Sequence, residues 1–512
     1  MGQARSLTAP AAGRGMRRKS MLPSRWMRWA GFLLIALLGL FLRLPRLGDR
    51  PMHTDEAVNA YIVGQLLKGE AFNYDPRDRH GPALAALALP LARMQGAKSF
   101  AELTESQLRM TSVLAGIATI LLLGSAVSLF GFAPCLVAAL LFACAPLSVY
   151  YDRYFIHESL FVFATFGLLL TGWRAYELRS LRHAALAGAC AALMLAGKET
   201  ALLQFAAFAV AALLYWLWTT HGEPATGWWK CTAAMLAVAV FLLISVVLFT
   251  WFGRNWNALP SLLQAVPAYL HRAHEEGHYA PFWYYLGLLA GGWSGPFISL
   301  IACIGLLQAV ATRLPSPSAF LAFYAVLIAI LYSGIPYKTP WLGLNLWLPL
   351  ALLAGMACEQ LWRISVNSTF FRMACVSIGL VTAVCIFHDT RQRVFVDSSG
   401  EDNPYAYAHT SEDLLGLPAE IERLSRQNDI TSPRIAVIAA DPWPLPWYLR
   451  HYSHVGFWQP GQQPAPHAGD ADYYITSSVA ADRYPELLDN FRPQFFGVRP
   501  GVLTLLWSPA PK

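Results

Sequence analysis

The sequence predicts a polytopic α-helical membrane protein, with about eleven transmembrane helices and a small soluble α/β domain at its C-terminal end. Three observations predict it. Of 512 residues, 56% are hydrophobic and only 13% charged, and the mean hydropathy of +0.40 lies outside the range of ordinary soluble domains. Apolar runs close to the ~20 residues that cross a bilayer as a helix recur between about residues 29 and 388. Beyond them the chain becomes polar, with short β-like runs set between loops rich in Pro and Gly.

The N-terminal segment sets the orientation. Residues 1–28 hold seven basic residues (Arg5, Arg14, Arg17, Arg18, Lys19, Arg25, Arg28) and no acid, directly ahead of "GFLLIALLGLFL". This is the pattern of a cytoplasmic N-terminus, and it accounts for the net charge of +7 without a nucleic-acid partner. No small-x-small cleavage site follows the apolar run, so it is expected to stay as the first helix. Residues 1–25 are expected to be disordered. The eight cysteines lie in or beside apolar segments and argue for neither disulfides nor a zinc module.

Spans are expected at about 29–45, 110–130, 132–150, 159–177, 183–198, 200–218, 231–252, 283–309, 319–334, 341–361 and 372–388. The loops "RAYELRSLRH", "ATRLPSPS" and "WRISVNSTFFR" carry Arg without Asp and fall on the N-terminal side. An odd number of spans then places residues 389–512 outside, most simply outside a prokaryotic plasma membrane. The expected division is a basic tail (1–28), a membrane domain (29–388) with a long first outer loop (46–109), and an extracytoplasmic domain (389–512). In the last, "RIAVIAA" (434–440), "ADYYIT" (471–476) and "GVLTLLW" (501–507) are expected strands, with a helix near 411–427.

With this topology the polar residues gather on one face. The first outer loop brings Asp55, Glu56 and His80; "YYDRYFIHESLF" brings Asp152, Arg153, His157 and Glu158; "GKET" brings Lys198 and Glu199. The fourth outer loop carries His271, His274, Glu275, Glu276 and His278, and "YSGIPYKTPWL" carries Lys338 and Trp341. Charge near membrane depth costs roughly 2.5–3.5 kcal/mol per residue on insertion scales, so five such clusters on one face point to a site. Carboxylates deprotonate hydroxyls or bind divalent cations, and Arg, Lys and His hold phosphates. The combination suits group transfer away from a lipid phosphate.

The motifs carry a resemblance. "HTDEA" after the first helix, then "GP", then "SQLRMTSVLAG" resemble the membrane glycosyltransferases of the GT-C fold, which include the protein mannosyltransferases and the aminoarabinose transferase of lipid A. "YDRYFIHESLF", "AGKET", "GIPYKTPWL", "NPYAYAHTS" and "DPWPLPWYLRHY" are similar to the flippase activity-associated family of glycosyltransferases. The resemblance implies a polyprenyl-phosphate sugar donor, an acceptor outside the cytoplasm (protein, lipid or glycan), and a first-loop acid as base. Asp55 matches that acid and Glu56 its partner; Asp152 and Glu158 both qualify as a second acid. Some relatives need a divalent metal and others do not, so a metal remains open.

Each group also has a structural reading. Asp55 and Glu56 can cap a helix. Asp152, Arg153 and Glu158 can form an ion-pair network, and Lys198 and Glu199 can pair with other helices. The histidines at 271, 274 and 278 share one helical face, suited to a metal or to substrate. Lys338 can hold phosphate or snorkel; Trp443, Trp447 and Tyr448 can bind sugar or fill a core. The rival class is a component of a lipid-linked saccharide flippase, or an inactive assembly partner, but no internal repeat supports a transporter.

Overall fold

The computed structural model describes residues 25–510 apart from 220–227, 273–278, 312–315 and 463–469. Its principal helices are α1 (Arg25–Arg43), α2 (Thr54–Leu67), α3 (Ala83–Met94), α4 (Glu105–Ser125), α5 (Phe132–Cys144), α6 (Glu158–Leu178), α7 (Leu181–Gly197) and α8 (Ala201–Thr219). They continue with α9 (Trp228–Phe249), α10 (Tyr284–Ala290), α11 (Gly295–Ala311), α12 (Pro317–Gly334), α13 (Gly343–Ser365), α14 (Thr369–Thr390) and α15 (Gly416–Gln427).

Among the described residues eight helices are long and apolar enough to cross a membrane, or nine if the bent pair α10–α11 is one span. The expected count of eleven is therefore too high by that measure. Helices do form at the other two expected positions, but α5 has 13 residues and α7 has 17. At 1.5 Å per residue α5 is only about 20 Å long, less than a hydrocarbon core of about 30 Å. The expected spans at 132–150 and 283–309 run through breaks. Pro146 starts a separate short helix after α5, and α10 and α11 meet at 111° across "GGWS". Gly292 there has φ +78°, and Asp389 accepts the N–H groups of Trp293 (3.2 Å) and Ser294 (2.8 Å). A carboxylate thus satisfies the donors that the bend frees.

Helix α13 lies at the centre. The span Pro340–Ser365 is 78% buried, against 17% for Thr369–Val396 and for Lys230–Phe249, whose apolar surfaces face outward to lipid. It packs on α5 and α11, while α7 packs between α6 and α9.

Helix α4 starts five residues before the expected position because Thr104 and Gln107 form a capping box: each side chain accepts the other's backbone N–H, at 3.3 and 3.0 Å. The C-terminal domain is a five-stranded sheet of β1 (Arg434–Ile438), β2 (His454–Trp458), β3 (Tyr473–Ser477), β4 (Phe491–Arg499) and β5 (Val502–Pro509), in the order β2-β1-β3-β5-β4. The first three strands are parallel, and β5 runs antiparallel to both β3 and β4. The two strands not expected from sequence are both edges. "HVGFW" is five residues with a glycine at its centre, and "FRPQFFGVR" contains Pro493, which an edge strand tolerates because its N–H side can face outward.

The sheet domain is continuous with the first loop. One buried cluster runs from Met52, Ala57 and Leu108 through Trp447 to Val437 and Leu506. Trp447 Nε1 donates to Glu105 (2.7 Å), and the backbone N–H of Met52 donates to Tyr448 Oη (2.8 Å).

Candidate active site

His53 caps α2. Its Nδ1 accepts the N–H of Asp55 (3.0 Å), while Glu56 Oε2 accepts the N–H of His53 (3.2 Å). With Nδ1 an acceptor, the ring proton sits on Nε2, which donates to the carbonyl of Tyr407 (3.2 Å). The cap thus ties the first loop to the C-terminal segment.

Successive helical residues diverge by about 100°, so Asp55 and Glu56 leave α2 in different directions. Glu56 is fully buried. Arg109 Nε and Nη2 each donate to it at 2.8 Å, and the N–H of Phe155 donates at 2.7 Å. Burial by itself would raise this carboxyl, but the Arg109 guanidinium, together with Arg50 and the Phe155 N–H, holds it down at about 2. Arg109 spends its remaining donors on the carbonyls of Leu47, Arg50 and Pro51 (2.9–3.1 Å). Asp55, by contrast, is exposed and lines a cavity of about 300 Å³; among the described residues no hydrogen bond or ion pair reaches its carboxylate.

The cavity is otherwise walled by paired charges. His80 Nδ1 lies 2.7 Å from Glu199, whose other oxygen accepts from Tyr74 Oη (2.9 Å). Burial would raise Glu199, yet His80 and these hydrogen bonds hold it at about 2. Lys198 Nζ meets Glu158 at 2.5 Å. His157 stacks edge-on against His80 at 5.1 Å; burial, with His80 and Lys198 close by, pushes it well below the usual imidazole range and leaves it neutral. Trp341 forms another wall, its ring 6.0 Å from that of His53.

Of the residues expected at the site, the structure brings together Asp55, His80, His157, Glu158, Lys198, Glu199 and Trp341 around this one cavity. Glu56, Asp152, Arg153 and Lys338 do not line it. Asp152 receives Arg43 Nε and Nη2 at 2.9 and 2.8 Å in a fully buried pair. Arg153 caps the end of α1, donating to the carbonyls of Arg43, Pro45 and Arg46 at 2.6–3.0 Å. Lys338 is buried and donates to the carbonyls of Ala280 (3.0 Å) and Ile335 (2.6 Å). These donors go to backbone oxygens and neither residue lines the cavity, so the phosphate-holding role expected of Arg153 and Lys338 finds no support in this arrangement. Between the two acids of the second outer loop, Glu158 faces the cavity and Asp152 does not. His274 and His278 lie outside the described residues.

Sequence reasoning missed Arg77, Asp78 and Arg79, which line the cavity beside His80. The charge run "DPRDRH" was the available signal. Among the described residues no three His, Cys, Asp or Glu side chains converge at metal-ligand spacing.

The fold is similar to that of ArnT from Cupriavidus metallidurans bound to undecaprenyl phosphate, with a TM-score of 0.65 at 16% identity, covering 95% of this chain and 98% of that one. The apo state of the same protein gives a TM-score of 0.66 over 94% of this chain and 98% of that one, also at 16% identity. The archaeal oligosaccharyltransferase AglB from Archaeoglobus fulgidus, in complex with an inhibitory peptide and a dolichol-phosphate, gives 0.56 at 12% identity, covering 95% and 74%. No protein-family model matches the chain, and no curated protein matches it by sequence. The chain is thus a polytopic helical membrane protein with an ArnT-like fold, structurally similar to GT-C membrane glycosyltransferases. Its narrower likeness to the flippase activity-associated family rests on sequence motifs alone.

Proposed function

We propose that the protein is a membrane glycosyltransferase that moves a sugar from a polyprenyl-phosphate donor to an acceptor hydroxyl outside the cytoplasm. The observation that carries this reading is the contrast within the cavity: among the described residues the Asp55 carboxylate is unpaired and open, while the surrounding acids are paired, Glu199 with His80, Glu158 with Lys198 and Asp78 with Arg79. Asp55 takes the proton of the acceptor hydroxyl as its oxygen attacks the anomeric carbon. The bond from that carbon to the phosphate oxygen breaks, and the electron pair leaves with the polyprenyl phosphate. Lys198, in the cavity wall, receives the phosphate through the ammonium N–H groups it does not give to Glu158. Attack opposite the leaving group inverts the anomeric centre. The cytoplasmic N-terminus, the outer position of the sheet domain and the three-part division of the chain belong to the same proposal. So does membership of the flippase activity-associated family.

The fold supports the donor class, because ArnT and AglB structures hold undecaprenyl phosphate and dolichol-phosphate. The test is release of free polyprenyl phosphate by the purified full-length protein, given polyprenyl-phosphate sugars and a hydroxyl acceptor mixture, with and without a divalent cation. Release by the wild type and its loss in Asp55→Asn are expected. Full release by a well-folded Asp55→Asn protein removes Asp55 as base; no release by the wild type across a broad donor panel favours a role in saccharide transport or assembly.

A further inference from the structure

The far end of the helix bundle holds a second cavity of a different character. Helix α6 begins beside the candidate active site at Glu158, and Arg174 lies sixteen residues further along it, about 24 Å away at 1.5 Å per residue. There a groove of about 410 Å³ opens between α1, the end of α4 and α6, lined by Arg25, Arg28, Trp29, Ser125, Ser128 and Arg174. Among the described residues no Asp or Glu lines it. Arg174 is fixed in place by donating to the Ser125 carbonyl, the last of α4, and to Ser128 Oγ (3.1 Å). Arg25 and Arg28 make no ion pair with a carboxylate among the described residues.

We infer that this groove binds the phosphate headgroup of an anionic glycerophospholipid. Among the described residues no carboxylate lines the groove; Arg25 and Arg28 can each turn a guanidinium fork to a phosphate diester, and Arg174 adds its charge and the N–H groups it does not give to Ser125 and Ser128. Trp26, Leu33, Leu34 and Leu37 of the same helix α1 are exposed, so acyl chains can run along α1 while the headgroup stays among the arginines. Trp29 lines the groove too, and an indole beside basic side chains at the end of an apolar helix is the arrangement favoured at a membrane interface. The volume lies within the usual range of small-molecule sites. Gly124 lets the wall close up: a Cβ there would lie 3.0 Å from both Trp29 and Phe32.

Native mass spectrometry of the detergent-purified full chain, titrated with phosphatidylglycerol or with phosphatidylcholine of matched acyl chains, tests this. Preferential retention of phosphatidylglycerol is expected. Arg28→Gln with Arg174→Gln should weaken it about thirtyfold, since each cation near a membrane surface contributes roughly fivefold. Arg363→Gln with Arg372→Gln, which do not line the groove, should change it less than twofold. Arg28→Gln alone leaves the cap on α4 intact and should still cost about fivefold. Equal retention of the two lipids overturns the assignment. So does an equal loss in the groove and control variants, or complete displacement of the lipid by inorganic phosphate.

Discussion

Two neighbouring regions of the first loop use the same residue types to opposite ends. In the buried knot behind α2, Glu56 meets Arg109, Asp152 meets Arg43, and the donors left over go to backbone carbonyls. In the cavity before α2, the Asp55 carboxylate has no hydrogen-bond or ion-pair partner among the described residues, while Glu199, Glu158 and Asp78 around it are paired with His80, Lys198 and Arg79 but within reach of a ligand. Adjacent acids in sequence therefore sit in opposite environments: Glu56 is saturated and locked into the packing, and Asp55 is open to the cavity. A carboxylate already accepting three or more hydrogen bonds and held near pKa 2 is a poor base.

The largest expected effect falls on the open side. Asp55→Asn should lower polyprenyl-phosphate release by about 10²–10⁴-fold, the usual worth of a positioned general base, with no change in melting temperature. Glu56→Gln should show the reverse profile. It leaves Arg109 buried without its counter-charge, which costs about 3–5 kcal/mol of stability, and the loss should appear as a lower melting temperature or poor yield. Adding Arg109→Met should restore much of that stability, because removing both members of a buried pair costs far less than removing one. If the two single variants behave alike, the contrast between the regions fails.

The same contrast predicts a pH dependence. The Glu56 carboxyl is depressed from 4.5 to about 2, so its stabilisation is complete above about pH 4.5 and is lost as pH falls toward 2. The shift corresponds to about 3 kcal/mol. The stability difference between wild type and Glu56→Gln should therefore shrink steadily across that window, as measured by thermal unfolding in detergent.

The sequence made the cavity partly legible and the knot illegible. Asp55, His80, Glu158, Lys198 and Glu199 were found because charge near membrane depth is costly wherever it occurs. Their roles were not distinguishable by type: Asp152 and Glu158 are both acids of one outer loop, and only the packing shows Asp152 closed against Arg43. Lys338 sits in a segment whose prolines suggested a site, but its ammonium satisfies carbonyls freed by the irregular backbone. Hydropathy located a helix for every expected span, yet it passed over Pro146 and the glycine pair near 292, where chain direction changes within an apolar run. The edge strands β2 and β4 escaped for a related reason, since one is short and the other carries Pro493.

A smaller effect probes the knot from the α4 side. Gly116 of α4 faces Asp152 so closely that a Cβ would lie 2.1 Å from Oδ2. Gly116→Ala must displace the Arg43–Asp152 pair, an overpacking cost of about 1–3 kcal/mol. Serine at 116 should do the same, and the activity of the surviving folded fraction should change little, because Asp152 does not line the cavity.

The smallest effect concerns the junction that holds both regions in register. Met52, just ahead of the His53 cap, receives Thr410 Oγ1 on its carbonyl (2.7 Å) and donates its N–H to Tyr448 Oη (2.8 Å). Both partners come from the C-terminal segment. Tyr448→Phe removes the acceptor and leaves a buried N–H unsatisfied, at a cost of about 1–2 kcal/mol. If that segment only covers the first loop, the loss should end there. If it orients the turn that carries Asp55, kcat should fall several-fold at nearly unchanged donor KM, because small misplacements of a base weaken transfer more than binding. A stability loss with kcat intact would confine the sheet domain to a supporting role and leave the alignment of Asp55 to the buried arginines alone.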